Sequence, residues 1–259
     1  GIDSEQLKQT DGRYHRMKYN MESVSAFKIM SRKFEIIDEK RHAQMCQQFY
    51  MMNPQLLDIF TATSNDQQST REDLFNLYPL HPGTANLATH YATVVGSSSR
   101  SVFEFLGQND SIREFLDSEE IFLNRDTITA DYLWDYVLRV FQDDVTNYGA
   151  VTERYNSYKL QVANEGDAYF AVFKGILLLN AFNNVSGENN NGLVTPSEEN
   201  IHALFAGTRY DGEVDTVLQW FNEQGIIQRA PGGLYSVQFS ALPSGEIEEK
   251  KTEMRNVQY

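Results

Sequence analysis

Two prolines that bracket a short apolar turn constrain this chain more than any other feature. Residues 78–82 read Tyr-Pro-Leu-His-Pro. Each proline lacks a backbone donor and drives the residue before it towards an extended conformation, so this stretch cannot lie inside a helix. We therefore predict a rigid turn at residues 78–82.

Two short helical patterns follow the turn. Apolar residues recur at intervals of three and four from residue 84 to residue 95, which places them on one face of a helix. The run at residues 96–99, Gly-Ser-Ser-Ser, ends this helix, and Ser98 or Ser99 can cap the next one. Arg100 then lies in a first helical turn, where the partial positive charge of the helix N-terminus disfavours a cation unless an anion or a carboxylate faces it.

Both the turn and the segment at residues 100–106, Arg-Ser-Val-Phe-Glu-Phe-Leu, resemble large P-loop (AAA+/STAND-like) bacterial ATPases, the BREX-type phage-defence ATPases among them. In that family a Tyr-Pro-Leu-His-Pro turn, a helix, a polar linker and an Arg-Ser-x-Phe-x-Phe-Leu helix lie downstream of the nucleotide-binding core. Residues 97–99 depart from the family, because Ser-Ser-Ser stands where a Gln-Asn-Glu-like run is usual. The resemblance continues more loosely through residues 128–136 and covers roughly residues 70 to 240.

The resemblance implies that the chain is the lid and winged-helix region of an ATPase from a bacterial defence or DNA-processing system. ATP and Mg would be bound by the parent protein, and the partners would be the upstream ATPase core and other subunits of a defence complex. Arg100 would take the role of the arginine that a lid contributes to the nucleotide phosphates, with Tyr78, His81 and Pro82 near the nucleotide. An ion pair with Glu104, one turn further on, is the alternative role for Arg100.

Catalysis by this chain alone is not expected. The sequence contains no G-x-x-x-x-G-K-[ST] loop, no G-x-S-x-G and no H-E-x-x-H, so no enzyme activity is predicted for this chain alone and no cofactor is expected to bind it outside the parent protein. The alternative hypothesis is a free-standing winged-helix transcription regulator or protein-interaction adaptor. A natural reading frame that continues upstream into a Walker A motif would distinguish the first hypothesis from the second.

Composition indicates a folded cytoplasmic protein without a membrane partner. The chain has 259 residues, of which 41% are hydrophobic, enough for a substantial core. No run approaches the roughly 18 apolar residues of a membrane-spanning helix, and the polar N-terminus has no signal-peptide pattern. The single Cys46 excludes an internal disulfide. Gly1 in place of methionine leads us to expect a segment of a longer protein, with initiator processing of a native chain as the alternative.

The net charge of −14 disfavours nucleic acid as a partner. Residues 42–147 hold five Lys and Arg against fifteen Asp and Glu, and such a surface repels phosphate backbones.

The predicted fold class is mainly α, a helical lid-like bundle followed by a winged-helix domain with a small β-hairpin. Residues 1–147 are expected to form the lid-like domain, residues 148–242 the winged-helix-like domain and residues 243–259 a charged C-terminal helix. Helices are predicted at residues 39–52, 55–61, 129–141 and 168–182, and residues 148–166 are predicted to connect the two domains.

The winged-helix prediction depends on three helices and a hairpin. After the helix at residues 168–182, Thr195 or Ser197 caps a second helix, a third runs from residue 211 to the C-terminal glycine at 225, and residues 226–239 form a hairpin around Pro-Gly-Gly. The third helix presents acidic residues where DNA-binding winged helices present basic or amide side chains. We therefore expect a structural or protein-contact role and no direct DNA binding.

Metal ligation receives little support from the sequence, and no metal site is predicted. His42 and Cys46 stand four residues apart on one helix and could be half of a zinc site, but no second pair has ligand spacing, which favours a core cysteine beside a surface histidine. A solvated helix face is favoured over acid–base or metal chemistry for four aspartates near residue 140: Asp131, Asp135, Asp143 and Asp144.

Overall fold

Helices make up most of the described chain. The computed structural model describes residues 23–62, 64, 66–94, 98–107, 109–118, 126–185 and 192–239. Within them the chain is mainly helical with one small two-stranded antiparallel sheet, which confirms that part of the predicted fold class. The predicted charged helix within residues 243–259 lies outside the described residues.

The first half of the chain forms a layer of short helices around the predicted turn. They are α1 (Ser23–Ser31), α2 (Glu39–Met52), α3 (Pro54–Thr61), α4 (Gln67–Phe75), α5 (Pro82–Val94), α6 (Ser98–Gly107) and α7 (Asp110–Asp117). Proline and capping signals set their limits: the carboxylate of Asp38 caps α2, and Pro54 begins α3 directly after Asn53. α1 packs against α4 and α5, and α5 also contacts α3 and α6.

Within the residues that the structure describes, the second half has three long α-helices, two shorter ones and a hairpin, besides two short 3-10 segments. They are α8 (Ala130–Asp143), α9 (Val145–Glu165), α10 (Asp167–Val185), α11 (Glu198–Phe205), α12 (Val214–Glu223), β1 (Ile227–Arg229) and β2 (Tyr235–Val237). α10 lies at the centre of the core, because it packs against α5, α8, α9, α11, α12 and β2. None of the helices in the described ranges is long and apolar enough to span a membrane.

The prediction that residues 148–166 form a connection is wrong, because residues 145–165 form the continuous helix α9. Although α9 is polar in overall composition, one face of it is buried. The buried residues recur at intervals of three and four: Tyr148, Val151, Tyr155, Tyr158 and Val162. The ring of Tyr148 stacks on that of Phe141 in α8 at a centroid distance of 4.0 Å. The predicted boundary between residues 147 and 148 falls near the start of α9, which packs against both α8 and α10.

The predicted hairpin is confirmed at residues 227–237. Ile227 pairs with Val237 and Arg229 with Tyr235. A single antiparallel bridge between Ser197 and Leu234 adds the segment before α11 to the same edge. Ser197 is also the N-cap of α11, as predicted, and accepts a hydrogen bond from the backbone N–H of residue 200.

Candidate functional site

The predicted turn at residues 78–82 is hydrogen-bonded to the segment that leads into α8. The N–H of Ile128 donates to the carbonyl of Pro79 at 2.8 Å, and the N–H of His81 donates to the carbonyl of Ile128 at 3.2 Å. The bond between Tyr78 and Pro79 is cis, and Pro82 is the first residue of α5, where its missing N–H is not needed. The turn is therefore anchored by two backbone hydrogen bonds, and its rigidity stays a prediction.

His81 joins this turn to the end of α11. The side chain is fully buried, its Nδ1 accepts a hydrogen bond from the N–H of Gly83 at 3.1 Å, and its Nε2 lies 3.1 Å from the carbonyl of Ala206. Because Nδ1 accepts, Nε2 must carry the proton and donate to Ala206. Burial lowers the pKa of His81 to about 4, so the imidazole is neutral near pH 7 with both nitrogens engaged.

Two glycines let the backbones approach closely at this joint, which we define as residues 78–83 together with residues 204–211. A Cβ on Gly83 would lie 2.8 Å from Cδ2 of Leu204, so α5 and α11 are in direct contact there. Gly207 has a φ of +74°, and a Cβ on it would overlap the side-chain amide of Asn53. Gly83 therefore fits this joint because it lacks a Cβ. Gly207 does so for the same reason and also because its backbone has a positive φ.

A pocket of about 420 Å³ opens beside the joint. Its walls include Met45 and Met52 from α2, Tyr78 from the turn, and Arg209 and Asp211 from the segment after α11. All three residues that the resemblance places near nucleotide are buried, and of them only Tyr78, at 3% exposed, lines this pocket. Nucleotide contact by these three residues stays a prediction.

Arg209 is the cation at the rim of this pocket. Its Nε lies 3.4 Å from Oδ2 of Asp126, whose side chain is only 4% exposed, and its Nη2 donates to the hydroxyl of Tyr210. An arginine held by a buried carboxylate and a hydroxyl is oriented at little further entropic cost, so it presents a positioned guanidinium beside the joint.

Arg100 lies in α6, as predicted, but its side chain lies outside the described part of the chain. The predicted apolar face of α6 is buried at Val102, Phe105 and Leu106. Burial, Tyr91 and the carboxylate of Glu104 together raise the pKa of Tyr136 to about 12, so Glu104, the alternative partner of Arg100, lies close to that phenol. The choice between a phosphate-binding and an ion-paired Arg100 stays open.

The His42 and Cys46 pair of α2 lies against the same joint. Nε2 of His42 lies 2.8 Å from the carbonyl of Tyr78, and Sγ of Cys46 lies 3.6 Å from the His42 ring. Cys46 is buried in the core, as expected, and burial raises the pKa of its thiol to about 12. A thiol that stays protonated is neither a ready nucleophile nor a ready metal ligand.

The aspartates of α8 are less uniformly solvated than predicted. Asp143 is exposed, but Asp135 pairs with the largely buried ammonium of Lys174 at 2.8 Å, and Asp131 accepts a hydrogen bond from Thr129. Burial raises the pKa of Asp131. Asp144 caps α9, where it accepts from the backbone N–H of residue 147. Asp131, Asp135 and Asp144 thus each make a contact with a neighbouring side chain or with a helix end, whereas Asp143 is exposed.

Sequence reasoning missed one cluster of ligand-type side chains, Glu198, His202 and Asp215. One oxygen or nitrogen from each residue lies within 4.8 Å of those of the other two. The i, i+4 spacing of Glu198 and His202 on a helix was a signal available from the sequence. Asp215 had no such signal, because it reaches the pair only when α12 packs against α11.

The surface around α12 is acidic, as predicted. Exposed carboxylates lie on α12 and on the turn before it: Asp211, Glu213, Asp215 and Glu223. Arg229, the cation expected on the hairpin, pairs with Glu198 at 3.1 Å.

The chain was compared with protein families, with curated proteins and with solved structures. No family profile, no curated protein and no solved structure matches the chain.

Proposed function

We propose that this chain is the lid and winged-helix region of a larger P-loop ATPase and that it is not catalytic by itself. One observation carries the proposal: the Tyr-Pro-Leu-His-Pro turn, on which the resemblance depends, forms the joint between the first helices and the last ones. A residue pattern that resembles the lid region of an ATPase thus lies in a hydrogen-bonded connection here, with His81 buried against Ala206.

The order of elements after α9 supports a winged helix within this proposal. Three helices, α10, α11 and α12, precede a hairpin, and the segment before α11 pairs with that hairpin through the Ser197–Leu234 bridge. The N–H of Tyr235 also donates to the carbonyl of Pro196 at 2.7 Å. Winged helices typically have one helix, then a short extended segment, then two helices and finally a hairpin. The elements from α10 to β2 follow this order.

The charges of this region favour a protein as the partner of the winged helix. α12 would be the helix that enters a DNA groove, but Asp215 and Glu223 give it negative charge. Arg229 on the hairpin is already paired with Glu198, which reduces the attraction to phosphates that this cation could contribute to non-specific DNA affinity. A free-standing winged-helix regulator or adaptor would bind a protein partner through the same acidic face of α12, and it remains the alternative proposal.

ATP and Mg would be bound by the upstream core, since the sequence contains no phosphate-cradling loop with its lysine. In the closed parent ATPase, the guanidinium of Arg100 would reach the terminal phosphate and stabilise the charge that develops during phosphoryl transfer. The fully engaged His81 would serve the lid by holding the joint, which leaves Tyr78 as the residue of the turn that lines an open pocket.

Two measurements test the proposal. The natural reading frame should continue upstream into a G-x-x-x-x-G-K-[ST] motif, and a frame without one contradicts the proposal in favour of the adaptor. In the parent protein, Arg100→Ala should lower ATP turnover about ten-fold or more at an unchanged melting temperature, and Arg100→Lys should rescue only part of the loss because an ammonium lacks the planar fork.

Glu104→Ala is the matched control for Arg100. If the two residues only pair with each other, both alanine variants behave alike and leave turnover nearly unchanged. That result would remove the role of Arg100 in nucleotide hydrolysis while leaving the upstream motif as a separate test of the ATPase proposal.

A further inference from the structure

A nitrogen and two carboxylates converge where α11 packs against α12. Glu198 and His202 lie one helical turn apart in α11, and Asp215 lies in the first turn of α12. Nε2 of His202 is 3.0 Å from Oδ1 of Asp215. Two zinc ligands in a tetrahedral site lie about 3.3 Å apart, given metal–ligand distances of about 2.0–2.2 Å, so this pair already has nearly the required separation.

Glu198 is held in place by the hairpin. Its Oε2 accepts a hydrogen bond from the hydroxyl of Tyr235 at 3.2 Å and pairs with Nη2 of Arg229 at 3.1 Å. Carboxylates that bind metals are commonly fixed in this way by a second layer of hydrogen bonds. One carboxylate oxygen of Glu198 lies within 4.8 Å of the ligand atoms of His202 and Asp215, so a metal between the three residues requires only a small approach of their side chains.

We propose that Glu198, His202 and Asp215 bind a zinc-class divalent ion that clamps α11 to α12. One imidazole and two carboxylates suit zinc, whereas Mg²⁺ and Ca²⁺ prefer shells made of oxygen alone. The two carboxylates carry two negative charges against the single positive charge of Arg229, so the cluster attracts a divalent cation. The fourth position of the ion would be left to water or to a ligand from a partner protein. This inference is independent of the ATPase proposal.

The test is calorimetric titration of the whole chain with Zn²⁺ and, separately, with Mg²⁺. Zinc should bind in a one-to-one ratio with a dissociation constant in the micromolar range and raise the melting temperature, because an ion bound only to the folded state stabilises it. Both His202→Gln and Asp215→Asn should weaken zinc binding by more than about 10-fold.

Two control variants decide where any zinc is bound. Glu223→Gln removes an exposed carboxylate from the same helix without touching the cluster and should leave zinc affinity unchanged. Cys46→Ala removes the thiol of the His42 and Cys46 pair and should likewise leave zinc affinity unchanged. Zinc binding that survives His202→Gln, or that is lost in Cys46→Ala, would overturn the proposal, as would the absence of any zinc-dependent rise in melting temperature.

Discussion

His81→Ala tests whether the joint holds the two halves of the chain together. The substitution removes both hydrogen-bonding nitrogens of a fully buried ring and leaves the N–H of Gly83 and the carbonyl of Ala206 without their partner. An unsatisfied buried polar group costs about 1–3 kcal/mol, so the two together should lower the free energy of unfolding by about 2–6 kcal/mol at pH 7.

The pH dependence of stability provides a second readout that only a titrating residue can supply. The pKa of His81 is about 4 in the folded chain against an ordinary value of 6.5. Above pH 6.5 the imidazole of His81 is neutral in both the folded and the unfolded state. Between pH 6.5 and pH 4 it is protonated in the unfolded state but stays neutral in the folded state. Stability should therefore fall by about 1.4 kcal/mol per pH unit between these values, roughly 3 kcal/mol in all, and this contribution should vanish in His81→Ala.

The assay is urea unfolding followed by circular dichroism between pH 7 and pH 4. Leu204→Ala is the matched control, because it removes a buried side chain from the same joint without removing a titrating group. Both variants should be less stable than the wild type at pH 7, but only His81→Ala should have a shallower loss of stability with falling pH. Identical pH slopes in His81→Ala and the wild type would refute the argument, as would a cost at pH 7 below about 1 kcal/mol.

Three further predictions concern the joint, nucleotide and DNA. Gly207→Ala should cost about 2–4 kcal/mol in urea unfolding, because alanine is strained at positive φ and its Cβ meets Asn53, whereas Gly212→Ala, with open space around it, should be nearly neutral. The isolated chain should give no micromolar binding of ATP-Mg by calorimetry, since the phosphate-cradling loop is missing from the sequence; such binding would contradict this expectation. Duplex DNA should bind only weakly at physiological salt, and a sub-micromolar complex that is lost on mutation of Arg229 and α12 would show that the charge argument is wrong.

Local signals in the sequence were sufficient for many individual elements. The prolines of the turn, the serine cap of α11, the glycine after α12 and the Pro-Gly-Gly turn each restrict the backbone within a few residues, so the elements that they bound can be predicted without knowledge of the rest. The end of α2 before Pro54 and the hairpin at residues 227–237 followed from such signals, whereas the helix expected from residue 84 begins two residues earlier, at Pro82.

Tertiary packing decided what those signals could not. The sequence of α9 resembles that of a connection, because its polar residues outnumber the tyrosines whose burial against α8 and α10 makes it a core helix. His81 meets Ala206 across 125 residues, and Asp215 meets His202 only through the packing of α12 on α11. Local propensities extend over one or two turns of helix, whereas these contacts depend on the burial of apolar faces from distant segments. The sequence by itself therefore determined where the turn and most of the short elements lie, and only the tertiary structure decided that the turn is a joint and that a ligand-type cluster forms where α11 packs against α12.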